Sequence, residues 1–203
     1  LVMYPYNIAK KVKYINDIVV SSDTNKYLNL FKDKKIIKIL RPKRLATSSS
    51  KIIDVVIHAL KNINTNYEYL VLLEPTSPLT SYKELNAALK ILINNKKNID
   101  FLISVVSIPK YHSSYTIKLS NSNRVKVKKF PKNPNRQKLK KEYFISGNFY
   151  MGKTKKYLKN RSWISNKTYG YKIKKSVHTD IDDLQDFVFT QAALKNGLFK
   201  KIK

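Results

Sequence analysis

The sequence predicts an α/β fold built on a doubly wound, mostly parallel sheet, with a small antiparallel excursion. Short apolar runs of strand length alternate with longer segments whose apolar residues recur at helical spacing, a pattern typical of parallel sheets covered by helices. This alternation stops near residue 107, after which the candidate strands are short and lie on either side of a polar turn. The chain has 203 residues, 42% of them hydrophobic, which predicts one well-buried domain over residues 1–203.

The first half of the chain carries the alternation of helices and strands. The opening helix has Ile8, Val12 and Ile15 at helical spacing, and Ser22 with Asp23 forms a candidate helix cap further on. Strands are expected at residues 17–21, 35–40, 69–73 and 100–106, and helices ending near residue 31 and spanning residues 51–62 and 82–94. Since parallel strands joined by helices need crossovers, these crossovers should be right-handed.

A polar corner follows the third strand. Residues 69–73 form a continuous apolar run, which is typical of a central strand covered on both faces. Pro75 and Pro78 cannot continue a central ladder, so the strand should end near Glu74. In open α/β sheets ligands bind beyond the carboxyl ends of the strands, and three polar side chains follow this strand: Glu74, Thr76 and Ser77.

The same corner has a purely structural interpretation. Thr80 or Ser81 is placed to cap the next helix, with Glu84 completing a capping box. Both interpretations can hold together, because the cap uses residues 80–84 and leaves the three polar side chains before it for a site.

The second half begins with an excursion from the main sheet over residues 111–141. Candidate antiparallel strands at residues 115–119 and 124–130 flank the turn at 120–123, and a basic, proline-containing loop occupies residues 128–141. Further strands are expected at residues 143–151 and 169–174, and a closing helix at residues 183–195 that stops near Gly197.

The formal net charge of +28 would ordinarily suggest nucleic acid as a partner. However, only five of the 41 basic residues are arginine, the side chain that reads bases and phosphates best, and the lysines are spread along the chain. We therefore favour solvated surface lysines and expect no nucleic-acid partner, with a basic nucleic-acid-binding domain as an alternative.

Composition also limits the other function classes. The absence of cysteine excludes disulfides and thiolate metal sites, and the three histidines do not cluster in the sequence. No apolar run reaches the about 18 residues that span a bilayer, and the first residues carry no leader pattern. We expect a cytoplasmic protein without membrane contact.

Five segments of the chain can be compared together with a known family. They are VVSSD at residues 19–23, RPKRLA with IHAL at 41–60, LLEPTSPL at 72–79, NRQKL with SGNFY at 135–150, and DIDDLQD at 180–186. In order and spacing they resemble the acylneuraminate cytidylyltransferases, the CMP-sialic acid synthetase family. The resemblance implies a Rossmann-like nucleotidyltransferase with Mg²⁺ as cofactor, CTP and a nonulosonic sugar acid as substrates, and a homodimer formed partly through the excursion.

The resemblance also implies a reaction and its residues. A hydroxyl of the sugar acid attacks the α-phosphate of CTP and pyrophosphate leaves, chemistry that depends on positioning and charge stabilisation. Asp180 and Asp182 match the family's Mg²⁺-binding aspartates and, with Arg136, are the implied catalytic residues. The alternative for Asp182 or Asp183 is to cap the last helix, which needs one acid only. The implied substrate-binding residues are Glu74, Thr76, Ser77, Gln137, Gly147 and Tyr150, and the implied nucleotide-binding residues are Arg41, Ala46, Ser48 and Ser50.

Four residues depart from the family's pattern. Ser48 stands where the family has Asp, Glu74 where the sialic acid enzymes have Gln, and Thr80 and Phe144 where they have Arg. A carboxylate in place of an amide removes hydrogen-bond donors and repels a substrate carboxylate. The sugar acid therefore stays open between N-acetylneuraminate and a related nonulosonic acid such as legionaminic or pseudaminic acid.

The opening of the chain departs as well. The family begins with a strand and a basic, Gly/Ser-containing phosphate loop, whereas this sequence begins within the helix that follows them, and no glycine occurs before Gly147. The resemblance thus implies a domain lacking its first strand and phosphate-binding loop. We expect residues 1–203 alone to fold poorly or to turn over no CTP, although the full-length protein would. An inactive pseudoenzyme of this fold is the other alternative.

Overall fold

A computed structural model describes residues 1–107, 112–126, 135, 138–174 and 178–197 of the chain. The helices are α1 (Met3–Ala9), α2 (Asn25–Leu28), α3 (Ile52–Lys61), α4 (Tyr82–Asn94), α5 (Thr154–Asn160) and α6 (Leu184–Lys195). The strands are β1 (Val19–Ser22), β2 (Ile37–Leu40), β3 (Tyr69–Leu72), β4 (Phe101–Val106), β5 (Lys118–Leu119), β6 (Val125–Lys126), β7 (Phe144–Lys153) and β8 (Thr168–Lys172). Every predicted strand has a counterpart, whereas α5 corresponds to no predicted helix.

The strands form three sheets in the described part of the chain. β1 and β2 pair in parallel, and β5 and β6 form an antiparallel hairpin. The largest sheet has the order β3-β7-β4-β8, in which β4 and β8 are parallel and β7 is antiparallel to both of its neighbours. The α/β class is therefore confirmed, but the large sheet is mixed, because β7 runs against the common direction of the other three strands.

The expectation that β3 is a central strand is wrong for the described residues. β3 pairs there with β7 alone and stands at the end of the order, and its four residues are only half-buried. The central positions belong to β4 and β7, whose side chains Phe101, Leu102, Phe149 and Met151 are fully buried. The apolar run therefore led to an overestimate of the burial of β3 as well as to the wrong place in the sheet.

Helices cover both faces of the large sheet. On one face α4 packs Leu85, Leu89 and Leu92 against β4 and β7, at the spacing that brings residues onto one side of a helix. Each such buried leucine stabilises the fold by about 1.5–3 kcal/mol. On the other face a second cluster is built around Tyr157 and Trp163, with α3 beside it. The sheet therefore forms the middle of three layers.

Two predicted helix caps are wrong. The side chain of Thr24, rather than Ser22 or Asp23, caps α2 by accepting a hydrogen bond from the Lys26 N–H at 3.2 Å. Ser81 precedes α4 without a side-chain cap, and the Glu84 carboxylate, expected to complete the capping box, accepts from the Lys174 N–H. Tertiary partners have displaced the local capping box.

The close approach of β7 to β4 predicts a strong effect of substituting Gly152. A Cβ at Gly152 would overlap the ring of Phe101 and lie 2.8 Å from the Asp100 carbonyl oxygen, which is backbone and cannot move away. We expect Gly152→Ala to lower the free energy of unfolding by about 1–3 kcal/mol or more, measured by urea denaturation. Gly170→Ala in β8 is the control, since its Cβ would meet Val105 at an ordinary 3.4 Å. Equal stability of the two variants would contradict the packing argument.

An ion pair between the start of β4 and the end of β7 predicts a pH dependence. Lys153 donates a hydrogen bond from Nζ to the Asp100 carboxylate, which lies in a buried position and whose pKa this bond lowers. Because the pKa is lower in the folded state, the stabilisation is present above the ordinary pKa and is lost as the pH falls through the folded value. We expect Asp100→Asn to cost about 1–2 kcal/mol near neutral pH and to flatten the loss of stability in acid.

The matched control for this pair is Asp54→Asn. Asp54 also pairs with a basic side chain, Arg161 at 2.6 Å, but both side chains are exposed. Exposed pairs contribute little, so this variant should stay within about 0.5 kcal/mol of the parent protein. A larger loss for Asp54→Asn than for Asp100→Asn, in urea titrations at neutral and acid pH, would contradict the prediction.

Candidate active site

Three carboxylates gather beyond the carboxyl end of β3. Glu74 follows that strand, and Asp180 and Asp182 lie in the segment that leads into α6. Burial raises the pKa of Glu74 above its ordinary value, and the negative charges of Asp180 and Asp182 raise it further. The three acids are therefore close enough to interact, although they come from distant parts of the sequence.

A backbone contact holds the two segments together. The Ile181 N–H donates to the Thr76 carbonyl oxygen at 2.9 Å. The corner itself is folded by two successive turns, in which the Ser77 N–H bonds to Glu74 O and the Thr80 N–H bonds to Ser77 O. Thr76 thus contributes to the site through its backbone, which fixes Glu74 opposite the aspartates.

Gly147 of β7 lies next to the cluster, against Asp180 and Ser77. A Cβ on this residue would lie 3.2 Å from Asp180 Oδ2 and 3.4 Å from Ser77 Oγ, so the glycine backbone approaches both groups closely. Its φ of +72° is in the left-handed region that other residues rarely adopt. The hydroxyl of Ser77 is buried and has no hydrogen-bond partner in the described part of the chain. Gly147 therefore leaves space beside an acid and an unpaired hydroxyl.

Tyr150 lies at the edge of the same cluster. Burial raises the pKa of its phenol, and the charges of Glu74 and Asp180 raise it further. The structure thus brings together five of the predicted positions, Glu74, Ser77, Gly147, Tyr150 and Asp180. The charge of Asp182 acts on Glu74.

The helix cap after the cluster falls to Asp183. Its side chain accepts from the Asp186 N–H at 2.9 Å, and Asp186 accepts in return from the Asp183 N–H, which completes a capping box. Within the described residues, no hydrogen bond or ion pair engages the carboxylates of Asp180 or Asp182. These two acids are therefore not used for capping and are available to a ligand.

The donor set suits a hard cation. Mg²⁺ is held in many proteins by one or two carboxylates together with water and substrate phosphates, and Asp180 and Asp182 supply two carboxylates beside a third acid. Among the described residues, no three acidic, histidine or cysteine side chains are arranged to hold one metal ion together, so Glu74 is a neighbour of the two aspartates and not a third ligand. The arrangement fits a cation that brings further ligands with it.

The predicted nucleotide-binding residues belong to the loop that follows β2. Arg41 follows β2, and its guanidinium lies 3.9 Å from Asp23 at the end of β1. Ser50 folds the loop after it by donating to the Arg44 carbonyl oxygen at 3.2 Å, and Ser48 is exposed. In the part of the chain that the structure describes, no hydrogen bond or ion pair joins Arg41, Ala46, Ser48 or Ser50 to the acidic cluster. Arg136 and Gln137 lie outside the described residues.

Two further residues of the site were not singled out from the sequence. Asn148, buried next to Gly147, donates from Nδ2 to the Thr80 hydroxyl at 3.0 Å and so ties β7 to the corner. Trp163, the single tryptophan, packs behind Tyr150 with ring centroids 5.9 Å apart. The position of Asn148 within SGNFY was a usable signal, whereas nothing in the sequence near Trp163 pointed to Tyr150.

The fold and the acidic cluster define an α/β protein with a candidate ligand site beyond the carboxyl end of β3. The sequence model of the Cytidylyltransferase family matches residues 1–190. The chain therefore belongs to the cytidylyltransferase family, which confirms the resemblance inferred from the five segments.

Two curated relatives are similar over most of the chain. N-acylneuraminate cytidylyltransferase of Streptococcus agalactiae serotype V is 26% identical over 172 residues, covering 85% of this chain and 41% of that protein. Pseudaminic acid cytidylyltransferase of Campylobacter jejuni serotype O:2 is 25% identical over 201 residues, covering 96% of this chain and 85% of that protein. The chain thus spans about two fifths of the length of the streptococcal relative.

Solved structures support the fold class. CMP:2-keto-3-deoxy-manno-octonic acid synthetase in complex with CTP has a TM-score of 0.66 at 10% identity, covering 96% of this chain and 87% of its own. The 4-diphosphocytidyl-2C-methyl-D-erythritol synthase of Anaerococcus prevotii has a TM-score of 0.62 at 15% identity, covering 95% of this chain and 84% of its own.

None of the described helices has the length and apolar character needed to cross a membrane.

Proposed function

We propose that this protein transfers CMP from CTP to a nonulosonic sugar acid and releases pyrophosphate. The observation that carries the proposal is the cluster of Glu74, Asp180 and Asp182 beside Gly147, in a chain that belongs to the cytidylyltransferases. Relatives named for N-acylneuraminate and for pseudaminic acid support a sugar acid as the acceptor.

Asp180 and Asp182 are the proposed holders of Mg²⁺. When bound, the cation would neutralise charge on the nucleotide phosphates. The chain's own part is to keep two carboxylates free of other partners, since Asp183 takes the helix cap. The backbone hydrogen bond from Ile181 to Thr76 keeps these carboxylates next to the polar corner after β3. We call this corner, together with Gly147 and Tyr150, the acceptor site, because it is proposed to bind the sugar acid that accepts CMP.

Glu74 is proposed to read the sugar acid. An ionised carboxylate accepts hydrogen bonds and donates none, so Glu74 suits a hydroxyl or amide N–H of the sugar and repels its carboxylate. The unpaired Ser77 hydroxyl, next to Gly147, supplies a donor close by. We therefore expect the sugar to place hydroxyl or acylamino groups at Glu74 and its carboxylate elsewhere, with Gln137 and Arg136 as the proposed partners for that carboxylate or a phosphate.

The nucleotide is proposed to lie toward the loop after β2. Arg41 supplies a guanidinium there, and its Nε is buried without a hydrogen-bond partner in the described part of the chain. The hydroxyls of Ser48 and Ser50 and the backbone of Ala46 follow on the same loop. Because Ser48 is neutral, this loop adds no negative charge near the triphosphate.

A homodimer in the cytoplasm, without nucleic acid or membrane as partners, completes the proposal. The β5–β6 hairpin supports a protein partner, because its cross-strand pair Leu119 and Val125 is exposed at 58% and 55%. An exposed apolar pair on a two-stranded ribbon gains stability only when another surface covers it. Size-exclusion chromatography with light scattering on the purified protein tests this step, and a monomer at micromolar concentration would overturn it.

The test of the main proposal is pyrophosphate release by the full gene product that contains these residues, with CTP, Mg²⁺ and a panel of nonulosonic acids. Turnover with one acid, absent when CTP is replaced by ATP, is the expected result and identifies the sugar. A folded gene product that is silent with the whole panel would overturn the proposal in favour of the pseudoenzyme.

A further inference from the structure

Tyr150 packs on an aromatic stack to which the proposed reaction assigns no role. The centroid of the Trp163 ring lies 5.9 Å from that of Tyr150 and 4.1 Å from that of Tyr157 in α5. Phe101 of β4 meets the indole edge-on at 6.2 Å. Trp163 is thus the centre of a stack that reaches from the second core cluster to the candidate site.

The indole is held in place by its surroundings rather than by a hydrogen bond. Trp163 is 9% exposed, and its indole N–H has no hydrogen-bond partner in the described part of the chain. The turn that carries it is fixed by Thr168, whose hydroxyl donates to the Trp163 carbonyl oxygen at 3.1 Å and accepts from the Ser165 N–H at 2.7 Å. A substitution of the ring therefore changes stacking without removing a hydrogen bond.

Strand pairing fixes the backbone of Tyr150 but not the orientation of its ring. Tyr150 pairs with Leu72 of β3 and Ile103 of β4, which determines where its Cα lies. The orientation of the ring depends on what packs against it, and Trp163 is the ring in contact with it on the side of the core. The phenol at the end of the ring feels the charges of Glu74 and Asp180, which raise its pKa in addition to the effect of burial.

We propose that Trp163 is a positioning residue that holds the ring of Tyr150 in the acceptor site. The role in substrate binding rests on the proposed function, whereas the control of ring orientation does not. A tilted aromatic pair of this kind contributes an interaction that corresponds to roughly 3- to 10-fold in an equilibrium constant. That is the size of the effect on sugar-acid binding that loss of the Trp163 ring should have.

The first experiment needs no ligand. Tyr150 is replaced by 3-fluorotyrosine, and ¹⁹F NMR spectra are compared for the parent protein, Trp163→Phe and Trp163→Leu. A held ring gives a resonance displaced from that of the free amino acid. Trp163→Leu should move it toward the free value, and Trp163→Phe should move it less. An unchanged resonance in folded Trp163→Leu would overturn the proposal, and should that variant not fold, an unchanged resonance in Trp163→Phe would do so.

The second experiment measures steady-state kinetics of the same variants in the full gene product, with the sugar acid found active in the panel. We expect Trp163→Leu to raise the KM for the sugar acid roughly 3- to 10-fold with the KM for CTP unchanged. Trp163→Phe keeps an aromatic ring, so its KM for the sugar acid should stay close to the parental value. Equal KM values for the sugar acid in all three proteins would overturn the role in binding. Silence of the parent protein would instead refute the proposed function, while the fluorine spectra still decide the control of the ring.

Discussion

Replacing Asp180 by asparagine should reduce turnover of the full gene product by roughly 100-fold or more while leaving the fold intact. Asparagine keeps the size of the side chain but removes the charge that the proposed cation requires. The same change relieves repulsion among three neighbouring acids, so the thermal midpoint should stay equal or rise. The measurement is the rate of pyrophosphate release, together with thermal unfolding followed by circular dichroism.

Asp183→Asn is the matched control for Asp180→Asn. Asp183 is also an aspartate and lies three residues further on, but its carboxylate accepts the Asp186 N–H in the cap of α6. Asparagine is also a good helix cap, so we expect near-parental turnover and a stability change below about 1 kcal/mol. If both variants lost activity equally, general loss of negative charge would explain the effect, and the assignment of Asp180 would be contradicted.

Helices and strands could be predicted where local periodicity agrees with burial. Residues 82–94 are the clearest case: the predicted helix and α4 share the same bounds, because Leu85, Ala88, Leu89 and Leu92 all face the sheet. Prediction failed where a distant residue competed for a local partner. The Glu84 carboxylate accepts from the Lys174 N–H instead of closing a capping box, and the sequence around Glu84 gives no indication of this partner.

The order of the strands in the sheet could not be predicted from local sequence, because it also depends on residues that are distant along the chain. Residues 69–73 have the composition of a central strand, yet β7 and β4 occupy the centre of the described sheet. Nothing in an apolar run tells which strand lies beside it or in which direction that strand runs. The insertion of β7 between β3 and β4 depends on contacts made across long sequence separations, such as Gly152 against Phe101.

The candidate site was only partly accessible from the sequence. The polar corner at Glu74 followed from the prolines and the end of a strand, without any resemblance. Its approach to Asp180 includes a backbone hydrogen bond from Ile181 to Thr76, and no sequence pattern predicts that bond. The family resemblance supplied what physical reasoning lacked, because it joined the two segments before their contact was known.

Gly147→Ala should reduce kcat/KM by roughly 10-fold, less than the roughly 100-fold that a displacement of about 1 Å at a reacting group produces, because the Asp180 carboxylate must shift by only a few tenths of an ångström. The added Cβ would lie 3.2 Å from Asp180 Oδ2 and 3.4 Å from Ser77 Oγ, so the carboxylate must move away from the site. The φ of +72° adds a strain of about 1–2 kcal/mol, which should appear as lower stability in urea denaturation.

Gly197→Ala separates these two effects. Gly197 also has a left-handed backbone, with φ +63°, but a Cβ there would meet nothing within 4 Å. It should therefore show the strain without the displacement, losing stability by a similar amount while its kcat/KM stays at the parental value. If Gly147→Ala lost no more activity than Gly197→Ala, the space above Gly147 would not matter for the reaction. In that case Asp180 and Ser77 could not be the groups between which the substrate lies, and the acceptor site would have to lie elsewhere in the protein.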